Sequence, residues 1–243
     1  MNLHIFNSLT ELNEQLARYV VDVAKKAISD KGRFDFVLTG GNSPKELYKT
    51  LATTYKNEVD WSKVFFFIGD ERNVPADHQD YNGLMAKTFL FNDLQVADDH
   101  VFLVNTALEP IEAAKDYKNK LDEHFGNVPL IFDLILLGMG DDAHTASIFP
   151  FTDLVDNNDV DVAAVWVQKL NTYRISFTAP LINQAKNIVF LAFGENKANA
   201  LFHVVGNPEK DERMYPAQLI RPKNGNLDWF VDREAVKMLK VEG

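Results

Sequence analysis

Six short apolar runs constrain how this chain can fold: FDFVL (34–38), VFFFI (64–68), VFLV (101–104), DLILL (133–137), AAVWV (163–167) and IVFLAF (188–193). Several are apolar at consecutive positions rather than at every second one. Strands of that kind are covered on both faces, as in a largely parallel sheet with helices on either side. Helical patterns fill most of the intervals. The first is the clearest: Ser8-Leu9-Thr10-Glu11 has the form of a capping box, and Leu9, Leu12, Leu16, Val20 and Val23 follow at helical spacing up to Gly32. A short strand at 3–6 precedes it. A strand around Trp229, followed by a helix begun by Asp232, is expected near the end. The class is α/β, a mainly parallel central sheet with helices on both faces. No repeat, low-complexity tract or long linker interrupts the pattern, so residues 1–243 are expected to form one domain.

The chain has no cysteine, which excludes thiolate nucleophiles, disulfides and Cys-built metal sites. Its formal charge of −10, without a cluster of Lys and Arg, argues against nucleic-acid binding. An anionic ligand would need a local basic group or a helix N-terminus to hold it. No run approaches the length needed to span a bilayer, and the N-terminus lacks the features of a signal peptide. No membrane association, a cytoplasmic location and a monomer are the expectations.

In open parallel sheets ligands collect at the carboxyl ends of strands, so the loops there are the places to look. After the run at 34–38 comes TGGNSPKEL (39–47). Gly40-Gly41 permits a sharp turn and close approach of backbone to a ligand, and Ser43-Pro44-Lys45-Glu46 reads as a capping box with proline at the first helical position. With Thr39, Asn42 and Ser43 this makes an anion cradle, although the spacing is not that of a P-loop. A plain strand–turn–helix connection is the alternative. The second loop, GDERNVPADHQDYNG (69–83), offers Arg72 as a fork of donors and Asp70 to orient a hydroxyl or the arginine. Here the alternative is a salt-bridged surface turn, with His78 structural.

The third loop, GMGDDAHTASIFP (138–150), allows several readings. Gly138, Gly140 and Ala143 match a dinucleotide fingerprint in spacing, but the acid it requires after the next strand is absent, and two carboxylates would repel a pyrophosphate. Asp141, Asp142, His144 and His78 are metal-ligand types without metal-ligand spacing. An acid/base pair of His144 and a nearby Asp is the third reading. A helix capped by Asp141 or Asp142, with a solvated histidine, is the fourth. Ser147 lacks a nucleophile elbow and is read as packing or capping.

Taken together, LTGGNSPKELY, FFFIGDERNVPADHQDYN and FDLILLGMGDDAHTASIFP resemble the 6-phosphogluconolactonase family. The likeness continues through QKLNTYRISFTAPLINQAKNIVFLAFGENKANAL, YPAQLI and LDWFVDREA, in order. The resemblance implies the fold of glucosamine-6-phosphate deaminases and ribose-5-phosphate isomerases, and hydrolysis of 6-phospho-D-glucono-1,5-lactone in the oxidative pentose phosphate pathway, with no required metal or organic cofactor. It implies a phosphate held by Gly40, Gly41, Asn42 and Ser43 with Arg72, Lys169 and Arg174, and a place for Asp70 beside them. His144 would be the general base, Asp142 its orienting partner, and the phosphosugar lactone the only partner. Backbone N–H groups near Gly138 to Gly140 are candidate oxyanion donors. Ala143 stands where the family usually has Gly, and Tyr81 where a small residue is common; a positive φ at 143 would strain an alanine. An amino-sugar-phosphate isomerase or deaminase is the nearest rival, and a non-catalytic sugar-phosphate sensor a second; HTASIFP favours the lactonase.

Overall fold

Ten strands and seven α-helices organise the computed structural model, which describes residues 1–126, 128–207 and 209–239. The strands are β1 (Asn2–Phe6), β2 (Phe34–Leu38), β3 (Val64–Ile68), β4 (Asp70–Arg72), β5 (Val101–Phe102), β6 (Leu134–Gly138), β7 (Val162–Val167), β8 (Thr172–Phe177), β9 (Asn187–Ala192) and β10 (Asn226–Asp232). The helices are α1 (Leu9–Lys31), α2 (Lys45–Thr53), α3 (Asn82–Ala86), α4 (Asn92–Leu94), α5 (Pro110–Phe125), α6 (Ala179–Ile182) and α7 (Ala198–Leu201). A π-helical turn over Lys87–Phe91 joins α3 to α4.

Seven strands pair in the order β1-β10-β9-β6-β2-β3-β5, every pair parallel. Alternate residues of β2, β3 and β6 enter two different apolar clusters. Val37, Phe67, Ile135 and Leu137 pack with α5, whereas Phe36, Leu38, Phe66, Leu134 and Leu136 pack with α1 and α2. This accounts for the runs of consecutive apolar residues, because each side chain has a covered face waiting for it. The first helix forms as its sequence dictates: Ser8 accepts from the Glu11 N–H, and Gly32 closes it with φ 81°.

Four expectations are corrected. β5 ends at Phe102 rather than 104, because the Val104 carbonyl accepts from the Tyr81 hydroxyl and leaves the ladder. Ser43 does not cap α2; Pro44 precedes the helix with no side-chain cap, and Ser43 is left facing the cleft described below. Among the described residues no helix follows Asp232: its carboxylate accepts from both Gly194 and Ala235 N–H groups, and residues 233–238 form turns, with 240 outside the described residues. Finally, β4, β8 and β7 form a separate antiparallel sheet. The run at 163–167 belongs there and not to the central sheet.

The connections leaving β2 and β6 diverge. β2 leads into α2 on one face, and the segment after β6 carries Ala143, Ile148 and Phe149 into the cluster on the other. Neighbouring parallel strands whose exits part in this way leave a crevice at their carboxyl ends.

Candidate active site

That crevice is a cleft of about 320 Å³. Gly40, Gly41, Asn42 and Ser43 line it from the β2 exit, Asp70 and Arg72 from β4, His144 from the β6 exit, Lys169 from the turn between β7 and β8, and Arg174 from β8. Three loops distant in sequence thus meet at one place.

Each loop is held by buried bonds. The Tyr48 hydroxyl, fully buried on α2, bonds both the N–H and the carbonyl of Thr39 and so fixes the start of the first loop. At Gly40 a side chain would overlap the Asn82 carboxamide, and Asn82 in turn donates to the Asp70 carbonyl at 2.7 Å. Glu71 has no exposed surface and accepts from the Arg72, Asn82 and Gly83 N–H groups at 2.8, 2.7 and 3.0 Å. Burial pushes its carboxyl up to about 8, against three N–H groups that favour the ionised form. Asp70 accepts from the Ser147 hydroxyl at 2.6 Å, which ties the second loop to the third.

Arg72 and Arg174 form a cross-strand pair between β4 and β8, so their guanidinium groups occupy the same face. Arg72 is anchored by donation to the Asp80 carbonyl at 2.9 Å. Burial lowers the pKa of Arg174, and the neighbouring Arg72 lowers it further. Its Nε is buried with no hydrogen-bond partner among the described residues. Two cations on one cleft wall, one of them with an unused donor, are arranged for an anion.

The third loop is not helical, so neither Asp141 nor Asp142 caps a helix. Asp141 is exposed. Asp142 lies behind His144: its Oδ1 is 2.5 Å from His144 Nδ1 and accepts from the His144 N–H at 3.3 Å, while Oδ2 is 3.0 Å from Lys169 Nζ. Burial pushes the Asp142 carboxyl up, but the bonds from His144 and Lys169 outweigh it and hold it well below the usual carboxylate range. With Nδ1 occupied, Nε2 is the ring nitrogen left for chemistry. Phe149 stacks on the imidazole at 4.0 Å and 20°, which sets the plane of the ring.

Ala143 does take a positive φ, 59°, the strain expected of it. Its carbonyl accepts from the Ala217 N–H at 2.9 Å and its side chain is fully buried, so the surroundings impose the conformation. Gly140 donates its N–H to the His144 carbonyl at 2.9 Å, which withdraws that group from the candidate oxyanion donors. His78 is exposed and accepts from the Asp80 N–H, away from the cleft wall. Among the described residues no three His, Asp or Glu side chains converge as a metal-holding group.

Among the polar residues that line the cleft, Ser147 and Lys197 have no site role in the sequence reading. Ser147, read as packing or capping, presents its hydroxyl to Asp70 within the cleft wall. Lys197 enters from the turn after β9, where Gly194 has φ 89°. Its signal was present: GENK follows an apolar strand, the same strand-end position that marks the other three loops.

These features define a class, α/β proteins in which one strand-end crevice holds a paired-arginine wall and a carboxylate-bound histidine. Residues 7–229 match the model of the family described as glucosamine-6-phosphate isomerases/6-phosphogluconolactonase, and the chain belongs to that family. It is 39% identical to the 6-phosphogluconolactonase of Synechocystis sp. over 220 residues, covering 88% of each chain. It is 33% identical to that of Rattus norvegicus, covering 98% of this chain and 94% of the other. The structure of the Trypanosoma brucei 6-phosphogluconolactonase superposes with a TM-score of 0.84 at 28% identity, covering 98% of both chains. No helix among the described residues is long and apolar enough to cross a membrane.

Proposed function

We propose that this chain hydrolyses 6-phospho-D-glucono-1,5-lactone to 6-phospho-D-gluconate, the lactone-opening step of the oxidative pentose phosphate pathway, with His144 as general base. The observation that carries the reading is the Asp142–His144 pair opening into the same cleft as Arg72 and Arg174.

In this reading the phosphate lies against Arg72 and Arg174, with Lys197 and the backbone of Gly40 to Ser43 completing its shell. Asp70, held by Ser147, receives a sugar hydroxyl. The lactone carbon C1 then faces His144. Asp142 fixes the tautomer in which Nδ1 carries the proton, so Nε2 accepts one from water as the oxygen attacks C1. The tetrahedral intermediate collapses by breaking the bond from C1 to the ring oxygen. The proton on Nε2 passes to that oxygen, and the base is restored with one water consumed.

The test compares lactone opening by the wild type with the spontaneous rate, alongside release of ammonia from glucosamine 6-phosphate. The reading expects the first and not the second. Deamination without lactone opening would overturn it in favour of the isomerase/deaminase branch of the family.

A further inference from the structure

Lys169 sits at the tip of the β7–β8 hairpin, in a short turn over Gln168–Leu170 that ends at Asn171 in the left-handed region, φ 49°. The hairpin carries the lysine across to the cleft, where its ammonium meets Asp142 Oδ2 at 3.0 Å. The other oxygen of that carboxylate is the one on His144 Nδ1. One carboxylate therefore bridges the cation and the imidazole. Side-chain exposure is 62% for Lys169 and 23% for Asp142, so the cation is the wet end of the chain and the carboxylate the sheltered middle. As a surface ion pair such a contact adds little to stability. Its consequences are for the group at the far end.

We infer that Lys169 is a positioning residue that acts on His144 through Asp142, rather than a ligand of the phosphate. The inference rests on the reading of His144 as the base. Holding Oδ2 leaves Asp142 one orientation, with Oδ1 on Nδ1, and keeps Nε2 aimed into the cleft. Sharing the carboxylate's charge also weakens its attraction for an imidazolium. The resemblance to known lactonases places this lysine with the phosphate, and the geometry gives it a different partner.

The test titrates the His144 ring by NMR in the free enzyme and measures kcat and KM for the lactone, in wild type, Lys169→Met and Lys169→Arg. Removing the cation is expected to raise the His144 titration midpoint by about 0.5 to 1 pH unit and to move the acid limb of kcat/KM with it. kcat falls about tenfold while KM stays within about twofold, and Lys169→Arg restores the wild-type midpoint. In an Asp142→Asn background the same Lys169→Met change should move the midpoint by less than half as much. An unmoved midpoint, with KM raised about tenfold or more, would overturn the inference and return Lys169 to the phosphate. Because the titration needs no turnover, a wild type inactive on the lactone would fell the functional reading, while the midpoints would still decide whether Lys169 acts on His144.

Discussion

Arg72 and Arg174 stand directly opposite each other across β4 and β8. Like charges in that position repel, and Arg174 is half-buried as well. The arrangement costs the free protein stability, and a bound dianion would relieve the repulsion. Arg174→Met should therefore leave the unliganded melting temperature unchanged or slightly higher. The same change should raise KM for the lactone by about 10 to 100-fold, since a hydrogen bond to a charged group contributes about 1.5 to 3 kcal/mol. Thermal melts with and without inorganic phosphate, and steady-state kinetics, check both halves. A destabilised apo variant with unchanged KM would make the pair structural.

The central sheet was legible because continuous apolar strands such as VFFFI fit only a doubly covered position. The second sheet was not. β4 is Asp70-Glu71-Arg72, three charged residues with no strand signature, and it becomes a strand only because β8 folds back against it. Ser43 and Asp232 misled for a related reason. Both are good capping types, yet the first was left lining the cleft, and the second makes its local bond to the Ala235 N–H, shares the carboxylate with the Gly194 N–H, and is followed by turns rather than a helix. The Lys169 contact was beyond sequence reasoning altogether, because a cleft cation can meet a phosphate or a carboxylate and only the hairpin's path decides which.

Gly140 leaves room for the imidazole. A methyl group there would overlap the His144 ring and lie 2.6 Å from Asp142 Oδ1. Gly140→Ala should reduce kcat by about 10²-fold through displacement of the pair, an effect of the size expected from misplacing a reacting group by about 1 Å. Circular dichroism should remain native. Wild-type kcat in this variant would show that the pair tolerates movement.

Ala143 pays for its positive φ, and substitution by glycine brings opposing effects. Relief of left-handed strain is worth about 1 to 2 kcal/mol. Loss of a fully buried methyl costs about 0.8 kcal/mol, and the freedom of glycine in the unfolded chain about 0.5 to 1 kcal/mol. Ala143→Gly should consequently alter stability by no more than about 1 kcal/mol, whereas Ala143→Val, branched and without room, should cost about 2 kcal/mol or more. Urea denaturation distinguishes them. Equal stability of the two variants would contradict the assigned strain.

Asp35 lies fully buried at the opposite end of the sheet, bonded by His124 at 2.8 Å, by Arg33 at 3.1 Å and by Lys31. Burial pushes its carboxyl up, and these partners more than offset this and hold it below the ordinary value. A depressed folded pKa stabilises the protein at pH above the unfolded value, about 3.9, and that contribution is lost as pH falls through the folded value. Asp35→Asn should cost about 1.5 to 3 kcal/mol near neutral pH, because His124, Lys31 and Arg33 lose a charged acceptor while Lys31 keeps Asp133. The deficit should shrink on acidification below pH ~4. A pH-independent difference would mean that the charge of Asp35 is not what matters.

The most direct test of the catalytic account is the rate of lactone opening, corrected for the spontaneous reaction, in His144→Gln against wild type. Glutamine keeps much of the shape and cannot accept the proton from water. The account predicts that kcat falls by about 10² to 10⁴-fold with KM changed only a few-fold. A His144→Gln enzyme that opens the lactone at the wild-type rate would contradict it.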